Sequence, residues 1–172
     1  SPEFRTVGIG YAGLGHLLMR RGVAYDSDEG RAIAGAITAL MTGKVYEASA
    51  DMAEGLGTFT HFEFNKRPMN EVMEKHRKNL ENVLWEHVPG DLKEAAYSSW
   101  DNVVKRGKTV GFRNAQATLL APTGTISYLL GTENSTGVEP PFSLLAEKSL
   151  AGGGSIFIAS NEIPNALKNL GY

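Results

Sequence analysis

A short apolar stretch ends in a turn of small and hydroxyl-bearing residues between Ala117 and Ser127. Pro122 cannot donate to a sheet ladder and restricts the preceding residue to extended geometry, so we expect a buried strand over residues 117–121 that ends there. Gly124 is free to adopt positive φ, and a helix is expected to start at residues 126–130. The unpaired N–H groups of its first turn, with nearby hydroxyl groups, are suited to bind phosphate.

This turn, residues 122–127, is the candidate ligand site of the sequence. Its candidate phosphate-binding residues are Pro122, Thr123, Gly124, Thr125, Ile126 and Ser127. Short motifs have a high false-positive rate, and an ordinary strand-turn-helix corner would have the same residue types. We name this segment the 122–127 turn.

The composition is that of a soluble globular protein. The 172 residues are 42% hydrophobic and 21% charged, with a formal net charge of −2, so the charge favours neither nucleic acid nor an anionic membrane as a partner. No membrane span or signal peptide is visible, and we expect a cytoplasmic location. Residues 1–4 resemble a cloning scar. Residues 5–172 are interpreted as a single fragment of a longer protein.

Cysteine is absent from the sequence. Disulfides, thiolate metal sites and cysteine nucleophiles are therefore excluded within these 172 residues. The four histidines are scattered, with no clustered pair that predicts a metal site. Ser127 has no Gly-x-Ser-x-Gly elbow around it. We thus assign no catalytic residue and no metal ligand to this chain.

Three motifs occur in a fixed order: Arg113-Asn114-x-Gln116, the segment 121–127, and Thr136-Gly-Val-Glu-Pro140. Together they resemble the large, catalytic subunit of ribonucleotide reductase. Residues 25–34, 148–154 and 163–172 are similar to its class II, adenosylcobalamin-dependent branch. The resemblance extends over residues 5–172.

The resemblance implies a function and a fold. In that family the matching turn binds the substrate diphosphate through backbone N–H groups, and the enzyme reduces ribonucleotides to deoxyribonucleotides by cysteine thiyl-radical chemistry. The radical and reducing cysteines are not in this sequence, so the isolated fragment should be inactive. Adenosylcobalamin is the implied cofactor of the parent enzyme if it is class II, and a metal-radical subunit is the implied partner otherwise.

The fold class that the resemblance implies is α/β, a late part of a ten-stranded α/β barrel. The residues themselves predict a helix-rich N-terminal half and three or four strands in the C-terminal half. So few strands cannot close a barrel, and their open edges predict self-association of the fragment. In the parent enzyme the implied partners are the ribonucleotide substrate and the rest of the reductase chain.

Several elements have predicted bounds. A long helix is expected to start within residues 26–29 and end at Gly55 or Gly57; residues 58–67 are expected to be an irregular connection that buries Phe59, Phe62 and Phe64. Further helices are predicted from Pro68 to about Leu84, from Asp91 to Gly107, and after an Asn161 cap. Strands are predicted at residues 142–150 and 155–159 around a Gly152-Gly-Gly154 turn.

Two other functions remain open from the sequence. Gly8-x-Gly10-x-x-Gly13, with Asp26 eighteen residues after Gly8, has the spacing of an NAD-binding turn, but a Rossmann-type oxidoreductase domain would need a parallel sheet beginning at Arg5. A non-catalytic structural module is favoured if the 122–127 turn is blocked. Glu139, in a turn fixed by Gly137 and Pro140, is a candidate for orienting loop amides.

Overall fold

The computed structural model of the protein describes residues 2–132, 134–141 and 143–172. The chain forms two compact units, one comprising Ser1–Gly10 and Arg31–Leu119 and the other Tyr11–Gly30 and Leu120–Tyr172. We call them the first unit and the second unit. The described helices and strands are α1 (Leu14–Arg21), α2 (Asp28–Leu56), α3 (Phe62–Asn79), α4 (Gly90–Thr109), α5 (Ser127–Leu130), β1 (Leu145–Ser149), β2 (Ser155–Ala159) and α6 (Ile163–Asn169).

The first unit is built on an aromatic core. The Phe62 ring meets the Phe59 ring at 88° with centroids 5.5 Å apart, and it meets the Phe112 ring at 80° with centroids 6.3 Å apart. All three side chains are 1% exposed or less, as is Met73 of α3. Gly111 permits this packing, since a Cβ there would lie 2.5 Å from the Phe62 ring. Edge-to-face aromatic pairs add to the free energy of area burial, so this cluster is the main apolar support of the unit.

The long helix α2 confirms the helical pattern of the sequence. Ser27 accepts a hydrogen bond from the Gly30 N–H at 3.0 Å, while Asp28 and Glu29 place negative charge in the first turn, where the helix dipole favours it. At the other end, Arg113 Nη1 donates to the carbonyl oxygens of Leu56 and Gly57 at 2.9 and 3.0 Å. The guanidinium therefore satisfies carbonyls that the helix end leaves unpaired.

The prediction of an irregular connection over residues 58–67 was wrong in its second half. Helix α3 begins at Phe62, so Pro68 lies inside it rather than in its first turn. Phe59 and Phe62 are buried as expected, but Phe64 is 90% exposed. Burial of the Phe62 ring fixes the start of the helix. Pro68 removes only one helical hydrogen bond, and Pro68 and Phe64 are both exposed, so water can hydrate the carbonyl left without a partner.

The end of α3 and the bounds of α4 also differ from expectation. Helix α3 ends at Asn79, and two short 3-10 helices follow at Leu80–Asn82 and Trp85–His87. Helix α4 continues past Gly107 to Thr109. Gly107 lies within the helix. A side chain would not fit there, because a Cβ would be 2.8 Å from the Phe112 ring. Its role is close packing rather than helix termination.

Residues 117–121 form less regular and less buried structure than predicted. Ala117 is fully buried, whereas Leu119 and Leu120 are more than 40% exposed. The Ile9 N–H donates to the Ala117 carbonyl at 3.0 Å and the Leu119 N–H donates to the Ile9 carbonyl at 3.1 Å. This parallel contact is an isolated bridge between Ile9 and Thr118. Since successive side chains of an extended segment point to opposite faces, the exposure of both leucines shows that neither face is well covered there.

In the second unit, β1 and β2 form the predicted antiparallel hairpin. Leu145 pairs with Ala159 and Ser149 pairs with Ser155. Gly153 and Gly154 turn the chain with φ of 89° and 86°, a conformation that favours glycine. The predicted first strand starts at Phe142, which lies outside the described residues. The fold is thus mixed helix with one small sheet, because only two strands occur among the residues described.

Helices α1 and α6 are joined by polar contacts. The Glu162 carboxylate accepts hydrogen bonds from Arg20 Nε at 2.8 Å and from Arg20 Nη2, and also from Asn165 Nδ2 at 3.0 Å. Donation from Arg20 lowers the pKa of Glu162 despite the opposing effect of burial. Glu162, and not the predicted Asn161, occupies the N-cap position of α6. Its side chain binds Arg20 instead of capping its own helix.

None of the helices in the described part of the chain is long and apolar enough to cross a membrane.

From the packing of the aromatic core we expect the stability of the first unit to depend on Phe112. Phe112→Ala removes a fully buried ring and should lower the free energy of unfolding by about 3–5 kcal/mol. Urea unfolding followed by tryptophan fluorescence measures this change, since Trp85 and Trp100 both lie in the first unit. Phe64→Ala is the matched control. It removes the same ring from a 90% exposed position and should change the free energy by less than about 0.5 kcal/mol; equal losses in the two variants would contradict this core assignment.

Candidate functional site

The 122–127 turn has its unusual backbone conformation at Thr123. Thr123 has φ of 53°, while Gly124, which is free to adopt positive φ, does not do so. A β-branched residue is disfavoured in the left-handed region by about 1–2 kcal/mol. The Thr123 Oγ1 accepts a hydrogen bond of 2.7 Å from the Gly137 N–H. That bond uses the hydroxyl of Thr123, and it offsets part of the strain.

Gly137 contacts the turn so closely that no side chain fits there. It has φ of 53°, and an added Cβ would lie 2.5 Å from the Ala121 carbonyl oxygen. Its own carbonyl accepts a hydrogen bond from the Gly13 N–H at 3.0 Å. Gly137 therefore joins the turn to the start of α1. We call the contact of Gly137 with Thr123 and Ala121 the Gly137 clasp.

The amides at the start of α1 are used within the protein. The Gly13 N–H also lies 3.2 Å from the Ser135 carbonyl, and the Gly15 N–H donates to Ser135 Oγ at 2.8 Å. Ser135 is fully buried. These are the N–H groups that a dinucleotide would need at the Gly8-x-Gly10-x-x-Gly13 motif. With its amides occupied, and with a single parallel bridge at Ile9 instead of a sheet, the motif does not support the NAD-binding alternative.

The N–H groups of Gly124, Thr125 and Ile126 have the opposite arrangement. All three residues are exposed, and their N–H groups make no hydrogen bond to any of the described residues. A Cβ at Gly124 would meet no atom within 4 Å. Three consecutive turn amides are thus open to solvent, as an oxyanion ligand requires.

Ser127 supports the turn from the inside. It is fully buried, its N–H donates to the Thr123 carbonyl at 2.9 Å, and its hydroxyl donates to the Gly124 carbonyl at 3.1 Å. Two carbonyl oxygens of the turn are therefore directed inward. In a trans peptide unit the N–H points away from the C=O, so the N–H groups of Gly124 and Thr125 are directed outward.

Glu139 contacts hydroxyl groups and not the amides that the sequence suggested. Its Oε2 accepts a hydrogen bond of 2.9 Å from Thr136 Oγ1, and its carbonyl accepts one of 3.0 Å from Ser135 Oγ. The segment around Gly137 is held by these bonds. The sequence motif Thr136-Gly-Val-Glu-Pro140 indicated a turn, but it did not reveal that this turn braces residues 122–127.

The described residues contain no group of three or more His, Asp or Glu side chains that could hold a metal ion.

A methyl group added at Gly137 should disturb the Gly137 clasp, whereas one added at Gly124 should not. Gly137→Ala strains a positive-φ residue and places a Cβ against the Ala121 carbonyl, at an expected cost of about 1–3 kcal/mol. Amide hydrogen exchange of Gly13 and Gly15 should accelerate by about tenfold or more, because about 1.4 kcal/mol corresponds to a factor of ten. Gly124→Ala is the control, since its Cβ enters open space, and exchange should be unchanged. Unchanged exchange in Gly137→Ala would show that the clasp does not hold the turn.

Comparison with known proteins shows the family of the chain. A family model described as the barrel domain of ribonucleotide reductase matches residues 1–172. The vitamin B12-dependent ribonucleotide reductase of Rhodopirellula baltica is 44% identical over 172 residues, which is 100% of this chain and 16% of that protein. The enzyme of the same name from Streptomyces clavuligerus is 46% identical over 170 residues, 98% of this chain and 18% of that protein.

A third relative, the vitamin B12-dependent ribonucleotide reductase of Agrobacterium fabrum, is 44% identical over 187 residues, 100% of this chain and 15% of that protein. The chain thus spans less than a fifth of the length of these relatives. The family match covers the whole chain, including the 122–127 turn and the Gly137 clasp. The resemblance noted in the sequence is confirmed: this chain belongs to the ribonucleotide reductase barrel-domain family.

Proposed function

We propose that the 122–127 turn binds the diphosphate of a ribonucleotide in an enzyme that reduces ribonucleotides to deoxyribonucleotides. The observation that supports this most directly is the row of exposed N–H groups at Gly124, Thr125 and Ile126, which have no acceptor among the described residues. Backbone amides arranged in a turn bind anionic oxygens without reorganising. The resemblance to the family implies the same ligand for the matching turn.

The other residues of the turn have distinct roles in this proposal. Pro122 has no N–H and ends the extended segment before the turn. Thr123 and Ser127 direct their hydroxyls into the protein, toward the Gly137 N–H and the Gly124 carbonyl. The substrate oxygens therefore meet backbone N–H groups, and the hydroxyls keep those groups in position.

The reaction itself requires groups outside these 172 residues. The sequence contains no cysteine, so the thiyl radical and the reducing thiols come from another part of the parent enzyme, and the isolated chain should be inactive. The relatives are named for vitamin B12, and we assign adenosylcobalamin to the parent as its radical source. The described side chains do not fit a metal centre.

The finer fold and domain assignments are also proposals. The parallel contact between Ile9 and Thr118 supports neighbouring strands of a ten-stranded α/β barrel. We retain residues 5–172 as one fragment of that barrel, and residues 1–4 as a cloning scar, although the Phe4 ring lies 6.2 Å from the Phe59 ring. The cytoplasmic location of the parent stays a prediction.

Self-association of the isolated chain follows from its uncovered apolar side chains. In the second unit, Leu129, Leu145 and Phe157 are 84%, 58% and 67% exposed, and each strand of the hairpin has one described strand neighbour. In the parent, the rest of the reductase chain would cover this surface; in the isolated chain, a second copy would do so. Light scattering should show a mass that rises with concentration, and a monodisperse monomer at high concentration would contradict the proposal.

A blocked turn would have favoured the alternative of a non-catalytic structural module. The exposure of Gly124, Thr125 and Ile126 favours the ligand-binding function instead.

Removal of one backbone donor tests the proposed site. Ile126 has φ of −68°, which matches proline, and its N–H makes no hydrogen bond to the described residues, so Ile126→Pro removes a donor and keeps the φ of this residue. Calorimetric titration with adenosine 5′-diphosphate should show about tenfold weaker binding, because a hydrogen bond to a charged group contributes about 1.5–3 kcal/mol. An amide NMR spectrum of the variant confirms that the rest of the chain is unchanged.

Ile126→Ala provides the matched control, since it shortens the same side chain and keeps the N–H group. Its affinity for adenosine 5′-diphosphate should stay within about twofold of the unchanged protein, and adenosine should bind far more weakly than its diphosphate. Equal affinities of the proline and alanine variants would contradict a role for the Ile126 amide. Equal binding of adenosine and its diphosphate would contradict a phosphate site.

A further inference from the structure

A lysine of the hairpin lies beside the helix that follows the 122–127 turn. Lys148 on β1 places its Nζ 3.3 Å from the centroid of the Tyr128 ring. This is well within the range of a cation–π contact, which extends to about 6 Å. Lys148 is partly buried and Tyr128 is 42% exposed. The ring therefore fixes the position of an ammonium group that remains accessible from solvent.

The position of Tyr128 relates this ammonium group to the open amides. Tyr128 is the second residue of α5, and its N–H donates to the Thr125 carbonyl at 3.3 Å. Side chains of a helix tilt toward its N-terminus, so the ring of Tyr128 leans toward the turn that precedes it. A cation over that ring is therefore expected toward the N-terminal end of α5, the end that Gly124, Thr125 and Ile126 precede.

A cation beside the turn would add to the positive charge that backbone amides offer to a diphosphate. Each amide contributes only a partial positive charge, whereas an ammonium group contributes a full charge and three donors. None of the ion pairs found between described residues uses Lys148. Arg20, in contrast, is committed to the Glu162 carboxylate in the same unit.

We propose that Lys148 is a substrate-binding residue that contacts the phosphate held by the 122–127 turn, with Tyr128 as its positioning residue. This inference rests on the proposed function and adds a charged contact to it. The hairpin thereby becomes part of the site, because β1 carries the cation. A structural role for the Lys148–Tyr128 contact alone would leave phosphate affinity unchanged when the charge is removed.

Calorimetric titration of the whole chain with inorganic pyrophosphate tests the proposal. Lys148→Met removes the charge and keeps an unbranched apolar side chain, and it should weaken pyrophosphate binding by about tenfold or more. Lys148→Arg keeps the charge and should stay within about threefold of the unchanged protein. Lys168→Met on α6 is the matched control: it removes the same charge from an exposed position of the same unit and should change the affinity by less than about twofold.

The role of the ring is tested in the same titration. Tyr128→Phe keeps an aromatic face and should bind pyrophosphate as the unchanged protein does, whereas Tyr128→Leu releases the ammonium group and should weaken binding by several-fold. An unchanged affinity in Lys148→Met, or an equal loss in Lys168→Met, would overturn the assignment of Lys148 while leaving the turn as a phosphate site. Absence of pyrophosphate binding to the unchanged protein would overturn the proposed phosphate site, and the role of Lys148 with it.

Discussion

The close approach of Gly137 to the backbone of the 122–127 turn is the contact on which the candidate site depends. Its missing side chain leaves room for the Ala121 carbonyl, and its N–H holds the hydroxyl of Thr123. Thr123 can then keep a backbone conformation that is unfavourable for a β-branched residue. With Thr123 fixed and Ser127 bonded to the Gly124 carbonyl, the peptide units between them turn their N–H groups outward.

The same clasp explains why one glycine-rich segment is a ligand site and the other is not. Gly137 and Ser135 supply acceptors to the amides of Gly13 and Gly15 at the start of α1. Those amides donate their hydrogen bonds within the protein, whereas the amides of the 122–127 turn remain unpaired and can bind a ligand. A glycine pattern in a sequence cannot distinguish the two cases. The distinction depends on which acceptors the rest of the chain brings to each set of N–H groups.

The sequence predicted elements that depend on local signals. The helix after Pro122, the length of α2 and the two strands around their glycine turn all follow from residue type and periodicity. The start of α3 at Phe62 could not be predicted in this way, because it is set by the burial of that ring against Phe59 and Phe112. The positive φ of Thr123 was missed for the same reason, since its partner Gly137 is fourteen residues away. Lys148 carried no motif, and only its contact with Tyr128 relates it to the turn.

The central claim is that the open amides of the turn bind the diphosphate of a ribonucleotide. Amide NMR spectra recorded during a titration with adenosine 5′-diphosphate, with NADH in a parallel sample, test it most directly. The account predicts saturable shifts of the Gly124, Thr125 and Ile126 signals with the diphosphate, and no diphosphate response at Gly13 or Gly15. Shifts at Gly8, Gly10 and Gly13 with NADH, or unchanged signals at Gly124, Thr125 and Ile126 with the diphosphate, would contradict it.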